Sequence, residues 1–146
     1  MTDQTSGLKS DVDNIRAVEN FLYALQDEDF DTADRLMSDE IVWQNVGYLT
    51  LRGRKRIIGL MRRGQGRGAF EVKIHRIAAD GNAVLTERTD AIVIGPLRVQ
   101  FWVCGTFEVH AGRITLWRDY FDAYDIVKGM ARGLAATVFP SLRPTM

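Results

Sequence analysis

Two ionisable side chains interrupt a predicted strand in the stretch LTERTDAIVI, residues 85–94. Arg88 and Asp90 lie two positions apart, so on a strand both side chains point to the same face. A second carboxylate, Asp119, lies on another predicted strand, ITLWRDYFD, at residues 114–122. A charge buried alone in an apolar interior is very costly, so these groups can share an interior only by pairing. Because one guanidinium cannot fully neutralise two buried carboxylates, we expect one carboxylate to hold a proton.

A neutral carboxylic acid beside a charged carboxylate is the combination that acid–base chemistry needs. Keeping an aspartic acid neutral at pH 7 means raising its pKa by roughly 3 units above the reference value, at a cost of about 4 kcal/mol. Burial can supply a change of that size. Trp43 and Asn45 share one face of an earlier predicted strand, EIVWQNV. If they converge on the same cavity as the charged residues, they add an indole and an amide to the set.

The same residues also have a structural interpretation. Both faces of the two strands mix polar and apolar side chains, so the pattern alone does not decide which face is buried. An arginine and an aspartate two positions apart are more often a structural ion pair at a sheet surface. Asp119 has Arg118 and Asp122 nearby, as at a solvated strand end. Trp117 and Phe121 share the predicted face of Asp119, which favours a pocket.

The elements that position these residues follow from the hydrophobic pattern. Predicted helices cover residues 10–26, 27–37, 53–63 and 123–139, and predicted strands cover residues 40–46, 70–77, 83–94, 98–109 and 114–122. The apolar side of the third helix carries Ile57, Ile58, Leu60 and Met61, and that of the fourth carries Ile126, Val127, Met130 and Leu134. This order predicts an α+β fold, with a curved mixed or antiparallel sheet wrapped around the N-terminal helices. The concave interior of such a sheet can hold an apolar ligand.

Length and composition set the broad class of the protein. The chain has 146 residues, enough for one domain with one core, and we expect a flexible tail over residues 1–9 and a single domain over residues 10–146. Lys and Arg number 19, as do Asp and Glu, so the net charge gives no general attraction to nucleic acid or to an anionic membrane. The single cysteine, Cys104, excludes an internal disulfide and fits a reducing cytoplasm. We expect no signal peptide and no membrane insertion.

Three short motifs carry a resemblance to a known family. WQNVG, ERTDA and LWRDYFD, in this order and on three separate predicted strands, resemble the limonene-1,2-epoxide hydrolase family. The resemblance covers most of the chain. It implies the cone-like α+β fold shared with nuclear transport factor 2 and ketosteroid isomerase, a deep apolar pocket and a homodimer. It also implies that neither a metal ion nor an organic cofactor takes part.

The resemblance implies a role for each polar residue of the set. Asp119 would be the base that deprotonates water, and Asp90 would be the acid that protonates the epoxide oxygen. Arg88 would bridge the two carboxylates, and Asn45 would help to position the attacking water. The family has a tyrosine two residues before that asparagine, where this chain has Trp43. An indole offers a donor but no acceptor, and its size could narrow the pocket.

We therefore predict a cytoplasmic epoxide hydrolase that adds water to a small hydrophobic epoxide in one step and releases a vicinal diol. The expected pocket walls include Trp117, Phe121, Phe101 and Val103. Two alternatives use the same fold. One is an isomerase of the ketosteroid type, whose base and acid donor these residues could also supply. The other is a carrier of a hydrophobic ligand with no catalytic activity.

Overall fold

A mixed sheet forms the centre of the computed structural model, which describes residues 2–146. The helices are α1 (Thr2–Gln26), α2 (Phe30–Leu36), α3 (Arg54–Gly64) and α4 (Ala123–Val138), followed by a short 3-10 turn (Pro140–Leu142). The strands are β1 (Met37–Asn45), β2 (Leu49–Arg52), β3 (Ala69–Asp80), β4 (Ala83–Ile94), β5 (Leu97–His110) and β6 (Arg113–Tyr120). Their spatial order is β2-β1-β6-β5-β4-β3. The predicted α+β class with a mixed sheet is confirmed.

The strand pairing is antiparallel except between β1 and β6, which run parallel. Parallel neighbours cannot be joined by a tight hairpin and need a long crossover connection. Here the connection consists of all the intervening elements, from β2 to β5. The first and the last strand in chain order are therefore neighbours within the sheet, as its second and third strands.

The hydrophobic core lies between α1 and one face of the sheet. Val18, Phe21 and Leu22 of α1 are fully buried, at the helical spacing that the sequence predicts. Phe21 meets the sheet through edge-to-face contacts with Phe107 and Trp117, at ring separations of 6.5 and 5.1 Å. This arrangement makes one face of the sheet the inner face.

The N-terminal boundary differs from the prediction. Helix α1 begins at Thr2, eight residues before its predicted start at Ser10, while Met1 lies outside the described residues. The flexibility expected for residues 1–9 stays a prediction. The side chains from Gln4 to Ser10 are exposed. An exposed helical turn has no buried stripe to reveal it, and residues 2–9 contain no proline that would end the helix.

Two further details of the N-terminal half were not predicted. Strand β2 escaped the sequence analysis because it has four residues, of which only Leu51 is buried, too few to show an alternating pattern. Leu60 of α3 was expected to point inward, but it is 46% exposed, while Ile57 and Ile58 on the same helix are buried as predicted.

Helix α4 packs with a side that the sequence did not indicate. Of its four predicted apolar residues, Val127, Met130 and Leu134 are 62%, 46% and 57% exposed, and only Ile126 is half-buried. The side that packs instead carries two glycines, Gly129 and Gly133.

The unpaired edge of β5 explains why α4 packs with its glycine side. Pairing between β5 and β6 ends at Cys104 and Tyr120, so the first half of β5 extends beyond β6. A Cβ on Gly129 would lie 2.7 Å from the carbonyl oxygen of Gln100, and one on Gly133 would overlap that of Arg98. Helix α4 thus covers the unpaired edge of β5, at a distance that only glycine allows.

Candidate active site

Four adjacent strands bring the predicted polar residues to the inner face of the sheet. Asn45 is the register partner of Asp119 across the parallel pair β1 and β6. Asp119 is in turn opposite Gly105 of β5, and Gly105 is opposite Thr86 of β4. Side chains opposite one another on neighbouring strands point to the same face. Arg88 follows Thr86 by two residues, so it shares this face.

Arg88 bridges two carboxylates in the interior. Its side chain is fully buried. Nε lies 2.9 Å from Oδ1 and 3.1 Å from Oδ2 of Asp90. Nη2 lies 3.1 Å from Oδ2 of Asp90 and 2.7 Å from Oδ1 of Asp119, and Nη1 donates to Oγ1 of Thr86 at 3.1 Å. The predicted Asp–Arg–Asp arrangement is therefore present as a contiguous buried cluster, and not as an ion pair at the sheet surface.

Asp119 has a second hydrogen-bond donor. The indole N–H of Trp117 donates to its Oδ2 at 2.9 Å, while Arg88 holds its Oδ1. Trp117 was predicted as a pocket wall, and the structure places it in the core, 5% exposed. Its ring stacks on that of Trp43 at 4.5 Å, with 11° between the ring planes.

The environment of the cluster shifts the pKa values of all three groups. Burial raises the pKa of Asp90 and of Asp119, and the charge of Arg88 opposes the rise without cancelling it. The charge of Asp119 raises the pKa of Asp90 further, whereas the hydrogen bond from Trp117 works to lower the pKa of Asp119. For Arg88, burial acts to lower the pKa, but the two carboxylates outweigh it, so the net change is upward. A permanently charged guanidinium between two carboxyls that retain protons unusually well suits acid–base chemistry.

Gly105 is a site residue that the sequence analysis missed. A Cβ at this position would overlap Nη1 of Arg88 and lie 2.7 Å from Oγ1 of Thr86 and 3.1 Å from Oδ1 of Asp119. The absence of a side chain therefore makes the space that the guanidinium occupies. A glycine in the interior of a predicted strand indicates a close approach of another group, and this was the available sign.

Asn45 and Trp43 lie on β1, beside the charged cluster. The position of Asn45 is fixed by its pairing with Asp119, which also accepts a backbone hydrogen bond from Val46 at 3.0 Å. Trp43 is partly buried, and its Nε1 is buried without a hydrogen-bond partner among residues 2–146. Buried polar groups in proteins are normally paired, so this donor is unusual.

Two surface clefts divide the predicted wall residues between them. A cleft of about 630 Å³ is lined by Val103 and Phe121. Another of about 430 Å³ is lined by Phe101 and residues of α4. Arg88, Asp90 and Asp119 line neither cleft. A deep pocket over the carboxylates therefore stays a prediction.

Residues 2–146 lack two features, a metal-binding cluster and a membrane-spanning helix. His, Cys, Asp and Glu side chains of this range form no group of three that could hold a metal ion. None of the helices in the same range combines the length and the apolar composition needed to cross a membrane.

Comparison with known proteins assigns the family. Residues 12–132 match the family described as Limonene-1,2-epoxide hydrolase catalytic domain. The chain belongs to the limonene-1,2-epoxide hydrolase family. The predicted resemblance is thereby confirmed over most of the chain, including all three motifs that carried it.

Sequence identity and structural superposition with known proteins both support this family membership. The chain is 67% identical to epoxide hydrolase EphG of Mycobacterium tuberculosis over 130 residues, which cover 89% of this chain and 87% of EphG. The structure of an M. tuberculosis LEH-like epoxide hydrolase superposes with a TM-score of 0.92 at 65% identity, covering 93% of this chain and 97% of the other. An NTF2-like protein from Burkholderia xenovorans gives a TM-score of 0.67 at 18% identity, covering 83% and 98%. That more distant similarity shows the fold alone.

Proposed function

We propose that this member of the limonene-1,2-epoxide hydrolase family opens lipophilic epoxides by direct attack of water. The observation that carries the proposal is the position of Arg88, fully buried and hydrogen-bonded to both Asp90 and Asp119. The single positive charge of Arg88 cannot fully neutralise two carboxylates, so one of the two carboxyls holds a proton in this proposal. One of them is then available as an acid and the other as a base.

The proposed reaction needs one proton transfer at each end. Asp119 takes a proton from water as the water oxygen forms a bond to an epoxide carbon. The carbon–oxygen bond of the ring breaks, and Asp90 gives its proton to the oxygen that leaves. The product is a vicinal diol, and the resting state returns when a proton passes from Asp119 to Asp90. General acid and general base assistance each contribute about 10²–10⁴-fold to the rate.

Asn45 and Trp43 are proposed to hold the attacking water. Asn45 lies beside the base on the neighbouring strand. The partnerless N–H of Trp43 could donate to a lone pair of the water oxygen, leaving the other lone pair for attack. Because an indole cannot accept a proton from water, the proton must go to Asp119.

A lipophilic substrate is supported by the apolar surroundings of the inner face. Ile92 follows Asp90 by two residues on β4, and Ile92 and Ile94 are 44% and 55% exposed. The side chain of Leu97 and that of Val99 lie close to Gly133 and Gly129 of α4, respectively. The open end of the inner face is therefore apolar, which suits a hydrocarbon body more than a polar one.

Isotope labelling tests the direct attack of water. Wild-type protein in excess over a panel of apolar epoxides, from small to sterol-sized, is allowed one turnover in ¹⁸O-labelled water. Label in the diol after the first turnover is the expected result. If a carboxylate of the protein attacked instead, the first diol would be unlabelled and the label would enter the protein.

Replacement of the two carboxylates tests their roles. Asp90→Asn and Asp119→Asn are each expected to lower kcat at least ~10²-fold, because each removes one proton-transfer step. Asp80→Asn, at the exposed end of β3, is the matched control and is expected to keep the wild-type rate. Wild-type turnover in either site variant would contradict the roles proposed here. Isomerisation of a ketosteroid with no diol formed, or ligand binding without any turnover, would instead favour one of the two alternative functions.

A homodimer is proposed on the basis of the outer face of the sheet. Trp102, Leu85 and Tyr120 on that face are 54%, 53% and 44% exposed. Large apolar side chains grouped on one face of a sheet commonly mark an interface. Light scattering coupled to size exclusion gives the mass in solution, and Trp102→Glu is expected to convert a dimer to a monomer. A wild-type mass equal to that of one 16.5 kDa chain would contradict the proposal.

A further inference from the structure

We propose that the indole N–H of Trp117 keeps Asp119 as the charged carboxylate of the pair, so that the shared proton resides on Asp90. Trp117 acts here as a positioning residue, because its contact is with the base and not with the reacting atoms. The effect on the rate rests on the proposed function. The effect on the proton does not, and it can be measured without any substrate.

The hydrogen atoms that Arg88 supplies do not by themselves favour Asp119. The single hydrogen on Nε is shared between the two oxygens of Asp90, and one hydrogen on Nη2 goes to Oδ2 of the same carboxyl. Only the other hydrogen on Nη2 goes to Asp119. Asp90 thus receives two hydrogens from Arg88, and Asp119 receives one. Donated hydrogens stabilise the charged form of a carboxyl. On these contacts alone, Asp90 would be the better-stabilised anion and the proton would go to the residue proposed as the base.

Trp117 changes this count. Its Nε1 donates to Oδ2 of Asp119 at 2.9 Å, which gives each carboxyl two donated hydrogens. The shortest of the charged contacts, 2.7 Å from Nη2 of Arg88, is also made to Asp119. Charge-assisted hydrogen bonds are stronger when they are short, so Asp119 becomes the better-stabilised anion.

Among the described residues, no other charged group on the inner face is seen to offset the effect of Trp117 on Asp119. The ionisable groups that interact with Asp119 are Arg88 and Asp90, both from β4. The neighbouring strands contribute Gly105 and Asn45, which carry no charge. The buried side chains that α1 and α2 direct toward the sheet are apolar, except for Asn14, which binds the carbonyl oxygen of Gly81.

The indole is held in a position where it can serve only this carboxyl. Trp117 is 5% exposed, stacked on Trp43 and in edge-to-face contact with Phe21 at 5.1 Å. An indole nitrogen donates and does not accept, so it cannot take the proton itself. The group can therefore bias where the proton resides and cannot act as the acid or the base.

Carbon-13 NMR of aspartate-labelled protein tests the inference. The carboxyl signals of the pair are followed from pH 3 to 10 and assigned with Asp90→Asn and Asp119→Asn. In Trp117→Phe, which keeps an aromatic ring but loses the donor, the ratio of the two singly protonated forms is expected to move about 10- to 100-fold toward protonated Asp119. In Trp102→Phe, a control that removes an exposed indole from the outer face of the sheet, that ratio is expected to stay as in wild type, because this indole lies on the face opposite to both carboxyls. An unchanged ratio in Trp117→Phe would overturn the inference.

A second measurement needs no change at Trp117. The indole ¹H–¹⁵N signal of this residue, assigned with Trp43→Phe and Trp102→Phe, is expected to move with the lower of the two carboxyl titration steps. Movement with the upper step, or no movement, would overturn the inference even if Trp117→Phe does not fold.

Kinetics separate this inference from the proposed function. If epoxides turn over, Trp117→Phe is expected to move the acidic limb of the kcat/KM profile to higher pH, because more of the base is protonated. An acidic limb that stays in place would count against the inference. If the wild type turns over no epoxide, the proposed function fails, and the two NMR titrations still decide where the proton resides.

Discussion

Replacement of Gly105 by alanine would test how closely the buried cluster is built around its arginine. The added Cβ would overlap Nη1 of Arg88 and press on Thr86 and Asp119. Arg88 cannot move aside freely, since it is fully buried and held by both carboxylates.

The magnitude follows from these contacts. Forcing an extra carbon into a packed interior typically costs ~1–3 kcal/mol. Weakening a hydrogen bond to a charged group adds part of its ~1.5–3 kcal/mol. Together they should lower the free energy of unfolding by about 2–4 kcal/mol. A displacement of the guanidinium by about 1 Å is also expected to lower kcat/KM on the order of 10²-fold.

Urea unfolding and epoxide turnover measure the two effects. Gly59→Ala is the matched control, because a Cβ on Gly59 of α3 has no atom within 4 Å. This variant is expected to keep its activity and to gain up to about 1 kcal/mol of stability, since alanine favours a helix. If Gly105→Ala matched the wild type in both stability and kcat/KM, the inner face would have room for a side chain, and the reasoning from close packing would be refuted.

Two more predictions concern stability. Burial raises the pKa of both Asp90 and Asp119, so the folded state keeps protons that the unfolded state has lost. Their contribution is fully present below about pH 4 and is lost as the pH rises through the folded-state pKa values. The stability of wild type relative to Asp90→Asn should therefore fall with rising pH in urea unfolding from pH 4 to 8, and a rise would contradict the raised pKa values. Gly133→Ala would push α4 away from the carbonyl of Arg98 and should lower the free energy of unfolding by about 1–3 kcal/mol. A thermal unfolding midpoint equal to that of wild type would show that the helix does not need this close approach.

The charged cluster was predictable because its members lie within clear strands. Strand β4 begins and ends at the predicted residues, since turn residues flank it on both sides. The two-residue spacing then places Arg88 and Asp90 on one face. The pattern alone did not show that this face is buried. The structure supplied that information: Arg88 is fully buried, and its guanidinium fills the space beside Gly105, which lies opposite Asp119.

The parts that were not predicted have three different causes. Helix α4 has an apolar side by its spacing, but the unpaired edge of β5 selects the glycine side, because backbone must approach backbone. The hydrogen bond from Trp117 to Asp119 joins residues two apart, yet an aromatic residue on that face predicts a wall as readily as a donor. Strand β2 has too few buried residues to form a pattern at all.

The parallel pairing of β1 with β6 has a consequence for how the protein acquires activity. Asn45 and Asp119 are register partners, but residues 46–118 separate them along the chain. Contacts between such distant segments form slowly, because loop closure must precede any stabilising gain. The hairpins from β3 to β6 can form first, and they already contain the arginine and both carboxylates. During refolding, the protein should therefore assemble its charged cluster before it acquires the asparagine that completes the site, and enzymatic activity should return more slowly than β-structure.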